Sequence, residues 1–154
     1  MAVVTLILRF VVGAVFLLSG SIKVLDPGRF LIDVLAFDAV PYALAYVTAL
    51  TLPWLEVLCA IALWTGWAMR GAIVWLMLMT AAFIVLIARA AAAGLDLGCG
   101  CFGDWLVFPN VGVHLAFNGV LLTALIWIWV AGRPKPTRDP RLRESLQRVL
   151  LEKR

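Results

Sequence analysis

The chain has 154 residues, of which 64% are hydrophobic and 14% charged, and its formal net charge is +4. This balance excludes an ordinary soluble domain, because such domains carry about 25% charged residues. Four membrane spans of about 20 residues each would use about 80 residues and leave only short loops and a tail. We therefore expect an integral membrane protein without a separate soluble domain.

Four apolar stretches in the chain predict transmembrane helices at residues 2–22, 42–65, 71–93 and 111–131. Each is long enough to cross a hydrocarbon core of about 30 Å. They must be helical, because unpaired backbone groups in lipid are very unfavourable. The first stretch lacks a preceding basic region and contains Arg9, so we expect a retained helix rather than a cleaved signal peptide. The predicted fold class is an all-α, polytopic four-helix transmembrane bundle, formed by residues 1–132.

The C-terminal tail, residues 133–154, predicts the orientation. Its basic residues outnumber its acidic ones, and the positive-inside rule then places it in the cytoplasm. An even number of spans puts the N-terminus there too, so that loops 23–41 and 94–110 face outwards, across a bacterial inner membrane. The tail is either a solvated topology anchor or an amphipathic helix on anionic lipid, and its charge does not indicate nucleic acid.

Two cysteines separated by one glycine, Cys99 and Cys101, lie in the second predicted outer loop. A disulfide between them would close a small ring, and strain in such a bond makes it easier to reduce. Redox exchange is the favoured interpretation, while a static bridge and a pair of soft ligands for Cu(I) stay open. A tetrahedral zinc site is not predicted, because a second cysteine pair is missing, and no residue is assigned as a metal ligand. Cys99 and Cys101 are the predicted catalytic residues.

Four polar residues are expected to support the cysteines. Lys23 and Arg89 lie near the outer ends of the first and third spans, where a positive charge would lower a cysteine pKa, although the two loop aspartates oppose this effect. His114 and Asn118 are four residues apart and share one face of the last helix. They either pass protons or hold a ligand near the thiols, or they bond to neighbouring helices.

Two charged residues, Arg9 and Glu56, fall inside predicted spans. At 1.5 Å per residue, each lies about 10–14 Å from the cytoplasmic end of its own helix. A buried charge without a partner is strongly destabilising, so we predict an Arg9–Glu56 ion pair inside the bundle. Such a pair would serve either structure alone or a proton or quinone reaction at Glu56.

Three short patterns connect these residues to a known family. They are Gly20-x-x-Lys23, Leu52-Pro53-x-x-Glu56 and Asp96-x-x-Cys99-Gly-Cys-Phe-Gly103. Over residues 3–131 the chain resembles the methylamine-utilisation MauE family of DoxX-like membrane proteins. The last helix departs from the family pattern, since Phe117 precedes Asn118 where relatives commonly have arginine.

The resemblance implies a four-helix protein of periplasmic redox maturation that works with thioredoxin-like or disulfide-containing partners. Carried over by position, Cys99 and Cys101 would be the exchanging pair, with Lys23 and Glu56 as the family's polar positions. The predicted function is therefore a membrane thiol–disulfide redox protein, with a quinone as a possible electron acceptor. The alternative is a non-catalytic accessory subunit of a larger respiratory or electron-transfer membrane complex, with a structural disulfide.

Overall fold

A computed structural model of the protein describes residues 2–37, 39–94 and 111–132. These residues form five helices and no strand, namely α1 (Ala2–Leu25), α2 (Pro27–Ala36), α3 (Tyr42–Thr65), α4 (Met69–Ala92) and α5 (Val111–Ala131). The predicted cysteine pair, Cys99 and Cys101, and the basic tail at 133–154 lie outside the described residues.

Four of the helices, α1, α3, α4 and α5, are long and apolar enough to cross a membrane. Large apolar side chains point away from the bundle, with Trp54 59%, Leu58 61% and Val120 68% exposed. Surfaces of this kind are stable only against lipid or another apolar partner. The prediction of an all-α, four-span membrane protein is confirmed, and its helices contact lipid.

The first predicted outer loop contains an additional helix that the hydrophobic pattern does not reveal. In this segment α2 begins at Pro27, a residue favoured at the first position of a helix. The side chain of Asp26 caps it by accepting a hydrogen bond of 3.0 Å from the backbone N–H of Arg29. With ten residues, α2 is too short to span the bilayer.

The four spans form a ring in the order α1, α3, α4, α5, because α1 contacts α3 and α5 while α4 contacts the same two helices. The short α2 lies mainly against α3. The core of the ring contains apolar side chains from all four spans, namely Val12, Phe16, Cys59, Ala60, Leu63, Ala72, Ile73, Leu76, Leu125 and Ile128. Cys59 is thus a buried packing residue of this core.

Reciprocal hydrogen bonds from side chain to backbone join α1 to the end of α3. The guanidinium of Arg9 donates to the carbonyl of Leu63, with Nη2 at 2.6 Å and Nε at 3.1 Å. The indole Nε1 of Trp64 donates in the other direction, to the carbonyl of Phe10 at 3.2 Å. Carbonyls in the last turn of a helix lack a partner in their own helix, so Arg9 satisfies a group that lipid could not.

Glycine at position 13 makes this contact possible. A Cβ atom added to Gly13 would overlap the indole of Trp64, at 2.7 Å from Cδ1 and closer to Nε1. Small residues at helix interfaces commonly allow this close approach in membranes. Gly119 in α5 is different, because an added Cβ would meet no atom within 4 Å.

We expect Gly13→Ala to destabilise the protein by about 1–3 kcal/mol, because the new methyl group displaces Trp64 and breaks its bond to Phe10. Gly119→Ala is the matched control and should be neutral or stabilising, since alanine favours helices over glycine. Thermal unfolding in detergent measures both. Equal midpoints for the two variants would contradict the predicted packing.

Candidate functional site

A buried ion pair joins the end of α1 to the middle of α3. The Nζ atom of Lys23 lies 2.8 Å from Oε1 and 3.0 Å from Oε2 of Glu56. The hydroxyl of Ser19 donates a third hydrogen bond of 3.3 Å to Oε2. Lys23 is only 5% exposed and Glu56 only 2%. Both charges are therefore withdrawn from lipid and compensated by each other.

The antiparallel packing of α1 and α3 positions the pair. Glu56 lies 14 residues after Tyr42, the start of α3, which corresponds to about 21 Å along the helix. Gly20 of α1 contacts α3 at the level of Glu56, because an added Cβ would lie 3.0 Å from the Cβ atom of Glu56 and from the carbonyl oxygen of Pro53. The missing side chain at Gly20 thus lets α1 approach α3 closely beside the pair.

Aromatic rings surround the ammonium group of Lys23. Its Nζ atom lies 5.1 Å from the ring centroid of Phe30 in α2 and 5.4 Å from that of Phe83 in α4. A cation within about 6 Å of an aromatic face is attracted by the ring quadrupole, most strongly when water is excluded. The short helix α2 therefore contributes directly to the site by covering Lys23 with Phe30.

A small polar cavity of about 40 Å³ adjoins the ion pair. Its polar lining side chains are Ser19, Lys23, Glu56, Thr80, His114 and Asn118. A cavity needs about 10–15 Å³ and two to four polar partners to hold a water molecule. This cavity meets both conditions, so it can place water against the Glu56 carboxylate in the centre of the bundle.

The predicted Arg9–Glu56 ion pair is wrong. Glu56 pairs with Lys23, and Arg9 instead bonds to the carbonyl of Leu63. The prediction assumed that α1 and α3 end at the same depth. In the structure the two helices are offset along their axes, so that Ser19, and not Arg9, lies level with Glu56. Arg9 is ten residues before Ser19, which places it about 15 Å away along α1.

The structure brings some of the other predicted site residues together. Lys23 belongs to the last turn of α1 rather than to a loop. His114 is buried in α5, and its backbone carbonyl accepts a hydrogen bond of 3.0 Å from Nδ2 of Asn118. Both side chains line the polar cavity. Arg89, in the last turn of α4, is exposed and does not line this cavity.

Two polar residues of the site, Ser19 and Thr80, were not predicted from the sequence. Ser19 stands four residues before Lys23, a spacing that places both on one face of a helix, and this signal was available in the sequence. The buried hydroxyl of Thr80 donates to the carbonyl of Leu76 at 2.7 Å. No pattern marks Thr80, because its place in the cavity depends on how α4 packs.

The chain matches the family described as Methylamine utilisation protein MauE over residues 1–131. It belongs to the MauE family. No curated protein and no solved structure matches the chain. Membership of the MauE family suggests a membrane accessory protein in methylamine utilisation, and the described part of the match contains both residues of the buried ion pair.

We expect Lys23→Met to destabilise the protein by about 3–5 kcal/mol, because it leaves the Glu56 carboxylate buried without its counter-charge. The double variant Lys23→Met with Glu56→Met should recover most of this loss, since apolar residues of similar volume replace buried ion pairs well. Thermal unfolding in detergent measures the effect.

Arg70→Met is the control for removal of a positive charge, because Arg70 is exposed at the start of α4. It should change stability by no more than about 0.5 kcal/mol. A double variant as unstable as Lys23→Met would show that removal of Glu56 does not relieve the loss of Lys23, and this would contradict the pairing.

Proposed function

We propose that the protein is a membrane thiol–disulfide redox protein that acts through Cys99 and Cys101. The observation that carries this proposal is the Cys-Gly-Cys sequence between α4 and α5 in a chain of the MauE family. Both cysteines belong to the sequence segment that joins these two helices, and the proposal requires this segment to be accessible to a protein partner. Cys59, in contrast, is buried in the core.

The proposed reaction is thiol–disulfide exchange. A thiolate of the partner attacks one sulfur of the Cys99–Cys101 disulfide, the S–S bond breaks, and the other cysteine leaves as a thiolate. A second partner thiol then attacks the mixed disulfide, which oxidises the partner and leaves Cys99 and Cys101 reduced. The same steps in reverse reduce a partner disulfide, so the chemistry serves either direction.

The buried pair supports this function as a positioning element and as a proton site. Oxidation of two thiols to a disulfide releases two protons as well as two electrons. Glu56 lies beside a cavity with room for water, and His114 lines the same cavity closer to the start of α5. In the proposal, Lys23 and Glu56 hold α1 on α3 while water in the cavity exchanges protons with the carboxylate.

The proposed partner is a periplasmic thioredoxin-like protein or another disulfide-containing protein. This choice requires Cys99 and Cys101 to face outwards across a bacterial inner membrane, with both termini in the cytoplasm. The basic composition of residues 133–154 supports that orientation through the positive-inside rule. Disulfide chemistry also persists better on the oxidising side of a membrane. The family description supports methylamine utilisation as the setting.

Single-cysteine variants test the exchange reaction. In Cys101→Ser, Cys99 can still attack a partner disulfide but has no second thiol to resolve the product, so we expect this variant to accumulate a mixed disulfide that disappears on reduction. Non-reducing electrophoresis followed by mass spectrometry identifies the attached protein. Cys59→Ser is the matched control and should behave as the wild type, because Cys59 is buried. Normal partner oxidation in cells by both Cys99→Ser and Cys101→Ser would end the proposal.

Labelling with a membrane-impermeant maleimide tests the orientation. In the Cys59→Ser background and after mild reduction, we expect Cys99 and Cys101 to react in intact spheroplasts. A cysteine introduced at Ser145 in the tail should react only after the membrane is permeabilised. The reverse pattern would place the cysteine pair in the cytoplasm and contradict the proposed partner.

The second candidate function is a non-catalytic accessory subunit of a larger membrane complex. Its supporting observation is the exposure of large aromatic side chains, which include Trp67 at 81% in the turn between α3 and α4. Exposed aromatic surface suits a protein interface as well as lipid. Purification in a gentle detergent discriminates between the candidates, because a structural subunit retains large stoichiometric partners and an unreactive Cys99–Cys101 bridge.

A further inference from the structure

A second cavity, which we call the aromatic groove, lies between α2, α3 and α4 and has a volume of about 310 Å³. Four aromatic side chains line it. They are Phe30 in α2, Phe37 directly after α2, and Trp75 and Phe83 in α4. Ligand pockets typically have volumes of about 300–1,000 Å³, mostly apolar walls and a few placed polar groups. The groove has the size and the walls of a site for a flat, apolar molecule.

The wall of the groove contains one hydroxyl group, that of Thr48 in α3. Within the described ranges Thr48 makes no hydrogen bond. Other threonines of the spans satisfy their hydroxyls on the carbonyl four residues earlier, as seen for Thr51, Thr65, Thr80 and Thr123. Thr48 therefore retains a donor for a ligand in an otherwise apolar site.

We propose that the aromatic groove binds the head-group ring of a membrane-soluble quinone. A quinone ring is flat enough to stack among the four aromatic side chains. Its carbonyl oxygen can accept the hydrogen bond that Thr48 has available, and the lining also includes Trp75 of α4, whose side chain carries an indole N–H donor. A phospholipid tail would use neither the donors nor the aromatic geometry.

The groove and the buried ion pair are adjacent. Met79 and Phe83 line both the groove and the polar cavity beside Glu56. Phe30 and Phe83, which form one side of the groove, are also the two rings that contact the Lys23 ammonium. A single layer of side chains thus separates the proposed quinone ring from the titratable groups in the centre of the bundle.

The role of the bound quinone rests on the thiol–disulfide function proposed above. The dithiol of Cys99 and Cys101 loses two electrons and two protons as its S–S bond forms. The quinone accepts two electrons and two protons and becomes a quinol, so atoms and electrons balance. Binding itself involves no cysteine, and it is therefore tested separately from the exchange reaction.

Equilibrium binding of ubiquinone-1 and menadione to the full chain in quinone-free lipid nanodiscs tests the groove, with empty nanodiscs as the background. We expect saturable binding to the wild type. Thr48→Val should weaken it roughly 2- to 10-fold, as removal of one hydrogen bond does. Ala82→Phe, which fills the groove from α4, should weaken binding more than 10-fold, on the order expected from steric exclusion.

Ala88→Phe is the matched control, since Ala88 is an exposed alanine of α4 outside the groove. It should bind as the wild type does, and so should the double variant Cys99→Ser with Cys101→Ser. Absence of saturable binding, or equal affinity in Ala82→Phe and Ala88→Phe, would overturn the proposal. Equal competition by farnesol, which has an isoprenoid chain but no ring, would also overturn it and assign the groove to lipid tails.

Discussion

The Lys23–Glu56 ion pair is the constraint on which the arrangement of the bundle depends. An unpaired charge in the hydrocarbon region is strongly unfavourable, and Glu56 lies near the middle of α3. Its two oxygens accept hydrogen bonds from Lys23, and Ser19 adds one more. The register of α1 against α3 must bring these side chains together, and Gly20 removes the steric obstacle to that register.

The same constraint explains the position of α2. Lys23 stands two residues before the end of α1. Without a further element packed over this end of the helix, its ammonium group would not be covered. The chain turns back at Asp26, and α2 places Phe30 over the ammonium. This fold also creates the aromatic groove, because α2, α3 and α4 do not fill the space beneath Phe30 and Phe37. A short, covering helix thereby connects the ion pair to a ligand-sized cavity.

The two proposals assign different chemistry to different parts of the chain. The proposed thiol exchange requires contact with another protein and is assigned to the sequence segment between α4 and α5. Binding of an apolar ring and the proposed proton exchange at Glu56 are assigned to the interior of the bundle, where the polar cavity has room for water. Separation of this kind suits a membrane protein that receives electrons from a water-soluble partner. Thiol exchange with that partner takes place in water, whereas a membrane-soluble quinone is reached from the lipid. Family membership over residues 1–131 covers both regions.

The sequence by itself determined the class of the protein, the four spans and the family, because hydrophobic length and short motifs are local properties of the chain. It also marked Lys23, Glu56, His114 and Asn118 as polar residues of a site. Only the tertiary structure decided that Glu56 pairs with Lys23 rather than Arg9, since the partner depends on the offset between two helices and residue counting assumed none. The aromatic groove was likewise invisible in the sequence, because its walls come from three helices whose packing no local pattern records.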